Sequence, residues 1–479
     1  MRLPLSLPAV IMIFYLTSQN GGHGAAFAKE PADVISSLSV STTAAAARSR
    51  GPARASNPRL SQTSSPQEGV TLKAVPQYRE PKQAVSFVEG FDAQLGISPE
   101  MAREKRELMA ESSHAFFRGM PALFYSDLQS TFLERSRLLP EPAPTVGIVG
   151  DAHILNAGTF RGPDGKTVWG LNDFDQSELG SPEWDLERMG VSLYVAGRSG
   201  GLSSDESLGL VREMGQSYLD SLGQDGPAYL ERSETDGKVQ ELIDKAGSKD
   251  NEKFLDKWTS EDRKTLLRGE DLEEPEARRG AQMRKALGKA FPELTILDMA
   301  SKPHSGGSTR GLERYYTLIE EPGGDPWILE VKAVLPTPVQ IPDGDLSRGD
   351  GEKILGFQKQ MGSPVDHRHR AFKLGEVAFF TREREREKDS LKDKAKNLPD
   401  LAPLLGQVLA RAHGSSGADI KGWVDGRESQ LLGNLEKFSQ TYARQVESDY
   451  REFAAKYGGG SGGGSEPPEA RGADGFLLR

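Results

Sequence analysis

Apolar positions recur at helical spacing in several separated stretches of this chain, and gather into strand-like runs in others. From residue 98 to 117, "SPEMAREKRELMAESSHAFF" predicts a helix with Ser98 as N-cap and Pro99 at the first helical position, where a missing N–H costs nothing. Residues 145–149, "TVGIV", form a short apolar strand. "GTFRGPDGKTVWGLNDFD" reads as a hairpin turning at Pro163-Asp164-Gly165. A second capped helix starts at Ser181 and Pro182, and Leu186, Met189, Leu193 and Ala196 follow at helical spacing. Residues 204–290 read as charged helix with loop breaks. Residues 304–335 switch to strand character, as a Gly-rich turn, a strand, a PGGD turn and a second strand; residues 374–381 suggest another. Residues 401–413 form an amphipathic helix with Leu404, Leu405, Val408, Leu409 and Ala412 on one face, leaving Arg411 and His413 on the polar one. Residues 427–456 close the folded part as a helix. The run "TREREREKDSLKDKAKN" reads as a solvated face or loop. Strands and helices in this mixture predict an α+β fold rather than a regular β-α-β array.

The two ends carry other patterns. "MRLPLSLPAVIMIFYLTSQNGGHGAAFAKE" has an early Arg2, an apolar run over residues 3–16 and an Ala26-Phe27-Ala28 cleavage pattern. That is the order of a secretory signal peptide over residues 1–28, and the run falls short of the ~20 residues a membrane anchor needs. The expected location is therefore exported, periplasmic or secreted, with no membrane span after signal removal. Residues 29–79 are rich in Ser, Ala, Arg, Pro and Thr without sustained period and read as a linker; residues 458–479 read as a flexible Gly/Ser tail.

Composition narrows the function. The 479 residues carry a formal net charge of −10 and no cysteine. An acidic chain without a basic stripe is a poor partner for nucleic acid. Thiolate metal sites, disulfides and a Cys nucleophile are excluded.

The densest acidic and amide segment is "VGIVGDAHILNAGTFRGPDGKTVWGLNDFDQSELGSPEWDLERMG", residues 146–190. Asp151 follows the short strand, Asn156 lies in the loop after it, and the hairpin returns the chain so that Asp173 comes alongside. Two carboxylates and an amide brought together in this way suit Mg²⁺, a hard cation that keeps several waters and completes its shell with substrate phosphates. A further carboxylate can orient a hydroxyl nucleophile. Asp175 is either a second metal ligand or a turn former. His153 reads as a loop organiser, and Asp185 as a cap or a brace for the loop.

The order Gly150-Asp151-Ala152-His153, Asn156, Asp173-Phe174 and Asp185-Leu186 resembles the catalytic and metal-binding loops of protein-kinase-like phosphotransferases, closest to the aminoglycoside-phosphotransferase branch. More closely still, Phe116-Phe117-Arg118-Gly119, "GDAHILNAG", "NDFD" and "EWDLER" resemble the bacterial domain-of-unknown-function-2252 family, with Ala157 where that family usually has Phe. "SGGSTRGLERYYTLI", "LEVKAV" and "LARAH" extend the likeness from about residue 100 to 415. The resemblance implies a two-lobed kinase-like fold with Asp151 as the catalytic carboxylate, Asn156, Asp173 and Asp175 toward Mg²⁺, and Gly306, Gly307, Ser308 and Lys332 toward ATP or another nucleoside triphosphate. The Gly-rich turn and the lysine follow the catalytic loop here, so the implied arrangement is circularly permuted. Residues 80–300 would form the catalytic-loop lobe and helical region, 301–400 the nucleotide-binding strands, and 401–457 C-terminal helices on the large lobe.

One departure stands out. The glutamate that pairs the strand lysine in this family falls at Gly356, which leaves Glu352 as its candidate substitute. The expected activity is Mg-dependent transfer from a nucleoside triphosphate to an unknown small-molecule or protein acceptor. The alternatives are an exported binding module or nucleotidyl transferase, and a metallophosphoesterase reading of Asp151-Ala152-His153.

Overall fold

Proline and serine punctuate the first helices. Helices α1 (Pro81–Gln94) and α2 (Pro99–Met109) both begin on proline, and the Ser98 hydroxyl caps α2 by accepting from the Met101 N–H at 3.2 Å. The helix expected over 98–117 breaks, because the Ser112 hydroxyl accepts from the Ala115 N–H at 3.0 Å and caps a new helix, α3 (Ser113–Gly119), followed by α4 (Pro121–Asp127). The computed structural model describes residues 79–129, 137–224, 226–304, 309–339 and 349–459. These lie in one compact unit, Lys73–Arg479. The expected signal peptide, nearly all of the linker, most of the Gly/Ser tail, and Gly306, Gly307 and Ser308 lie outside the described residues. No described helix is long and apolar enough to cross a membrane.

The acidic segment folds as two small antiparallel pairings. Strand β1 (Val146–Ile148) pairs with β4 (Glu178–Gly180), and between them β2 (Ala157–Arg161) and β3 (Thr167–Leu171) form the expected hairpin. Helix α5 (Pro182–Ser199) follows, capped by Ser181, then α6 (Ser204–Ser221); β5 (Tyr229–Leu230) joins the edge of β3. Helices α7 (Gly237–Gly247), α8 (Asn251–Trp258) and α9 (Ala277–Ala290) occupy the charged region.

A five-stranded antiparallel sheet comes next: β6 (Thr295–Ser301), β7 (Arg314–Glu320), β8 (Trp327–Val334), β9 (Ala371–Leu374) and β10 (Val377–Glu383), in the order β6-β7-β8-β10-β9. Helix α10 (Gly351–Gln360) lies in the chain between β8 and β9. Strand alternation gives the sheet two characters. Tyr315, Leu329, Val331, Ala333 and Phe379 share an apolar cluster with Met283, Leu287 and Phe291 of α9. On the other face of β8, Glu330 and Lys332 are two residues apart; Arg382 and Tyr316 lie opposite Glu330, and Arg314 and Phe380 opposite Lys332. That second face is charged and belongs to the site.

The chain ends in α11 (Leu398–Ala412), α12 (Gly417–Val424) and α13 (Glu428–Tyr457). The largest core cluster joins apolar residues of α1, α3 to α6, α11 to α13 and the β1–β3 strands; Leu186, Met189, Leu193, Leu405 and Leu435 are fully enclosed within it. Helix α5 is buried along nearly its whole length, so its few polar side chains face protein rather than water.

Candidate active site

The loop after β1 is shaped by one glycine. Gly150 has φ +78°, and a Cβ there would lie 2.0 Å from the Gln176 carbonyl oxygen, so no other residue fits. Its N–H and that of Val149 donate to the two oxygens of Asp185 at 3.0 and 2.6 Å. The Asp185 carboxylate also accepts from His413 Nε2 at 3.2 Å, and His413 Nδ1 meets the Tyr218 hydroxyl at 2.9 Å. Helices α5 and α6 and the end of α11 thus each send one buried side chain to hold the loop. Asp185 is a brace, as one of its two expected roles. His413 and Arg411, assigned to a polar face, are buried instead, because that face meets protein: His413 the Tyr218 hydroxyl of α6, and Arg411 the Tyr229 carbonyl at 2.9 Å and Glu234 at 2.6 Å.

Asp151 is 6% exposed and takes two contacts from Arg188 on Oδ1, from Nε at 2.7 Å and Nη2 at 2.5 Å. The Arg188 guanidinium lies over the rings of Phe117 and Phe124, 4.6 and 5.3 Å from their centroids. Burial pushes the Asp151 carboxyl above its ordinary range, and Arg188 opposes that push. Its second oxygen is 3.8 Å from His153 Nε2. His153 Nδ1 accepts the Leu155 N–H at 3.2 Å, which makes it the loop organiser expected of it; burial, with Arg188 nearby, holds the ring far below its ordinary pKa.

Asn156 ends a short 3-10 turn. Its Nδ2 donates to the Asp151 carbonyl at 2.8 Å, and its own carbonyl accepts the Asn172 N–H at 3.1 Å. That last bond is how the hairpin returns Asp173 to the loop, as its spacing predicts. With Nδ2 engaged, Asn156 Oδ1 is the amide atom free to face a ligand.

Lys332 reaches the same place from β8. Its ammonium pairs directly with Asp175 and stands 3.9 Å from Asp173 Oδ1. Burial pulls Lys332 down to about 8 against the attraction of Asp173 and Asp151. Burial pushes Asp173 the other way, but Lys332, Arg382, Lys388 and Arg314 outweigh it and hold the carboxyl at about 2. Asp173 Oδ1 is nonetheless buried with no hydrogen-bond partner.

Two expectations need correction. Lys332 is not paired by Glu352, which is exposed at the start of α10; the neighbouring Lys353 instead pairs with Glu178 of β4 at 2.5 Å. The polarity of the helix contact is therefore inverted, and the acidic segment itself supplies the carboxylates for Lys332. The run after Thr381 is the loop of its two expected readings once β10 ends at Glu383, but it is not solvated. Arg382 pairs with Glu330 at 2.7 Å, Glu387 is 2% exposed, and the Arg161 guanidinium bridges Glu383 and Glu387 at 2.9 and 3.3 Å.

The family question can now be settled. A family model described as an uncharacterized protein conserved in bacteria (DUF2252) matches residues 98–456. The chain belongs to the DUF2252 family. No curated protein and no solved structure matches it.

In this DUF2252 chain, then, Asp151, Asn156, Asp173, Asp175 and Lys332 converge, while Gly306, Gly307 and Ser308 lie outside the described residues. Arg188, Glu330, Arg382 and Lys388 carried no role in the sequence reading. The first was findable, since Asp185 and Arg188 are three apart on one helical face. The donor set fits a hard divalent cation: one amide oxygen, one orphaned carboxylate oxygen and a second carboxylate now on Lys332. Among the described residues no three His, Asp or Glu side chains group as metal ligands, and a binuclear metallophosphoesterase centre would need more than three.

Proposed function

We propose that this DUF2252 protein is a kinase-like phosphotransferase that uses Mg²⁺ and a nucleoside triphosphate, with the two-lobed arrangement circularly permuted. The observation that carries the reading is the approach of Lys332, from a strand late in the chain, to Asp173 and Asp175 of the acidic segment. The element order supports it: two antiparallel strands β6 and β7, a lysine on β8, a helix, then two more strands, all after the catalytic-type loop.

Asn156 Oδ1 and Asp173 Oδ1 would hold the ion, with Asp175 joining them if it exchanges Lys332 for the metal. Bound there, magnesium would screen the charge that phosphoryl transfer moves. Lys332, released from one carboxylate, would offer its ammonium to phosphate oxygens as a point charge. Asp151 keeps one oxygen on Arg188, which fixes its plane, and presents the other toward an acceptor hydroxyl. The loop brace through Asp185 makes that orientation rigid.

A second reading, a nucleotide-binding module without transfer, is favoured by the direct Lys332–Asp175 pair, which satisfies both charges with no ligand present. Calorimetric titration of the full chain with ATP and Mg²⁺, repeated on Asp173→Ala, tests both. Heat with the parent that vanishes in the variant supports the site, and phosphate release or transfer on top of it supports the phosphotransferase. Heat without turnover favours the module. No heat in either chain ends the proposal.

A further inference from the structure

A cavity of about 360 Å³ opens beside the site, between the β2–β3 hairpin turn, β10 with the segment after it, and the loop that follows α10. Asn172, next to Asp173, is on its wall. The lining is strongly charged, and most of the charges answer one another: Arg382 with Glu330 at 2.7 Å, Arg161 with Glu383 at 2.9 Å, Arg368 with Asp366 at 3.1 Å.

Two cations are left over. Arg384 spends its guanidinium on the Tyr316 hydroxyl at 3.1 Å and the Glu385 carbonyl at 3.0 Å, with no carboxylate in ion-pair range among the described residues. The Lys388 ammonium has no hydrogen bond or ion pair with any described residue. The carboxylates that flank it in sequence are spent elsewhere, Glu387 on Arg161 at 3.3 Å and Arg386 at 3.0 Å and Asp389 on Lys249 at 3.1 Å. Glu385 accepts the Arg161 N–H at 2.8 Å, and burial pushes it up to about 7. Lys388 is itself pulled down to about 7 by burial, with Arg382 adding to the pull. Lys388 is half-buried, and an ammonium that has lost part of its hydration without gaining a partner is left favouring an anion.

We propose that this cavity binds the anionic group of a small molecule, a phosphate or a carboxylate, through Lys388 and Arg384. The anion supplies the counter-charge that both cations lack, and the Asn172 wall sets it next to the Lys332–Asp173 centre. The inference stands whether or not that centre transfers phosphate.

The test is titration of the full chain, without magnesium, by pyrophosphate, citrate and adenosine, read by calorimetry. Saturable binding of pyrophosphate or citrate is expected, weakened at least about tenfold in Lys388→Met and in Arg384→Gln, as loss of one charged hydrogen bond requires, and retained in Lys332→Met. Pyrophosphate alone would identify a phosphate ligand, and citrate alone a carboxylate. Absence of saturable binding, binding that survives both cavity substitutions, or binding lost only in Lys332→Met would each overturn the proposal. So would adenosine binding in the cavity without any anion. A variant that fails to fold is answered by thermal unfolding of the other. Lys388→Met should raise the ligand-free midpoint slightly, because it deletes a half-buried charge without a carboxylate partner among the described residues, and a lowered midpoint would show Lys388 to be a structural partner instead.

Discussion

The two ends of the acidic segment are held in opposite ways. At the Asp151 end the charges of the loop itself are answered: Asp185 takes two backbone N–H groups and His413, and Asp151 takes Arg188, which in turn lies against two aromatic rings. The exception is Glu187 of α5, buried with neither oxygen hydrogen-bonded and pushed by that burial well above its ordinary pKa. At the Asp173 end one carboxylate oxygen is orphaned, Lys388 has no partner among the described residues, and Lys332 pairs with carboxylates that also suit a metal. The first end is built to be rigid, and the second is left unfinished. Unsatisfied buried polar groups are rare in folded proteins and mark places where a ligand completes the structure. The difference teaches where to look for each kind of mutational effect: stability at one end, binding at the other.

The largest expected effect tests the rigid end. Arg188→Met strands the Asp151 carboxylate in a buried site, and breaking such a pair costs about 3–5 kcal/mol. Denaturant unfolding should show that loss. A cost under about 1 kcal/mol, the range of an exposed pair, would mean that Asp151 finds water and that the loop is not braced as described. Asp185→Asn comes next. An amide keeps one acceptor oxygen, so one of the Val149 and Gly150 N–H groups is left unpaired at about 1–3 kcal/mol, read by the same unfolding curves.

Much of the rigid end was legible from residue order alone. Asp151, Asn156 and Asp173 are joined by a hairpin, and the hairpin's turn residues are local signals, so their convergence could be read before any coordinates. The brace was only half legible. Asp185 and Arg188 share a helical face, but His413 reaches Asp185 from 228 residues along the chain, held in turn by Tyr218 of α6, and only packing decides which polar side chains of a helix face inward. The open end was the least legible. Glu330 and Arg382 meet through the β8–β10 register of the five-stranded sheet, and Lys388 comes near them from the irregular chain after β10; β8 and β10 are separated by a helix and another strand, so nothing local announces that register. A run such as "REREREK" reads as solvated because charge normally prefers water. Here only Arg382 and Glu383 belong to β10, and the irregular chain after them stays against the protein, where Arg382, Glu383 and Glu387 pair internally.

Asp173→Ala sharpens the contrast from the other side. Asp173 is one of several counter-charges for Lys332, and its side chain is 32% exposed, so solvent screening should keep the stability change to roughly 1 kcal/mol. Binding of magnesium nucleotide should fall at least about tenfold, as expected for a lost charged ligand. A large stability loss with binding intact would reverse the roles assigned to the two ends.

The smallest effect is the most specific, because it isolates one proton. Lys388 is held down at about 7, below a free lysine at 10.5, by burial and by Arg382 and Arg384, against the pull of Glu330 and Asp173. Below pH 7 the ammonium is charged in both the folded and the unfolded chain, and its burial penalty is fully present. Between about 7 and 10.5 the folded chain releases the proton while the unfolded chain keeps it, so this group makes stability rise with pH. Lys388→Met removes that slope, and the carboxylates it helps to hold low, Asp173 and Glu330, titrate far below this window. The variant should therefore be the more stable chain near pH 6, with the gap closing toward pH 10, in paired unfolding curves across that range. A saturating anion in the cavity should shrink the gap at low pH by giving the parent the partner it lacks. A gap that stays flat with pH would place the Lys388 ammonium in water, and the open end would then be no less satisfied than the braced one.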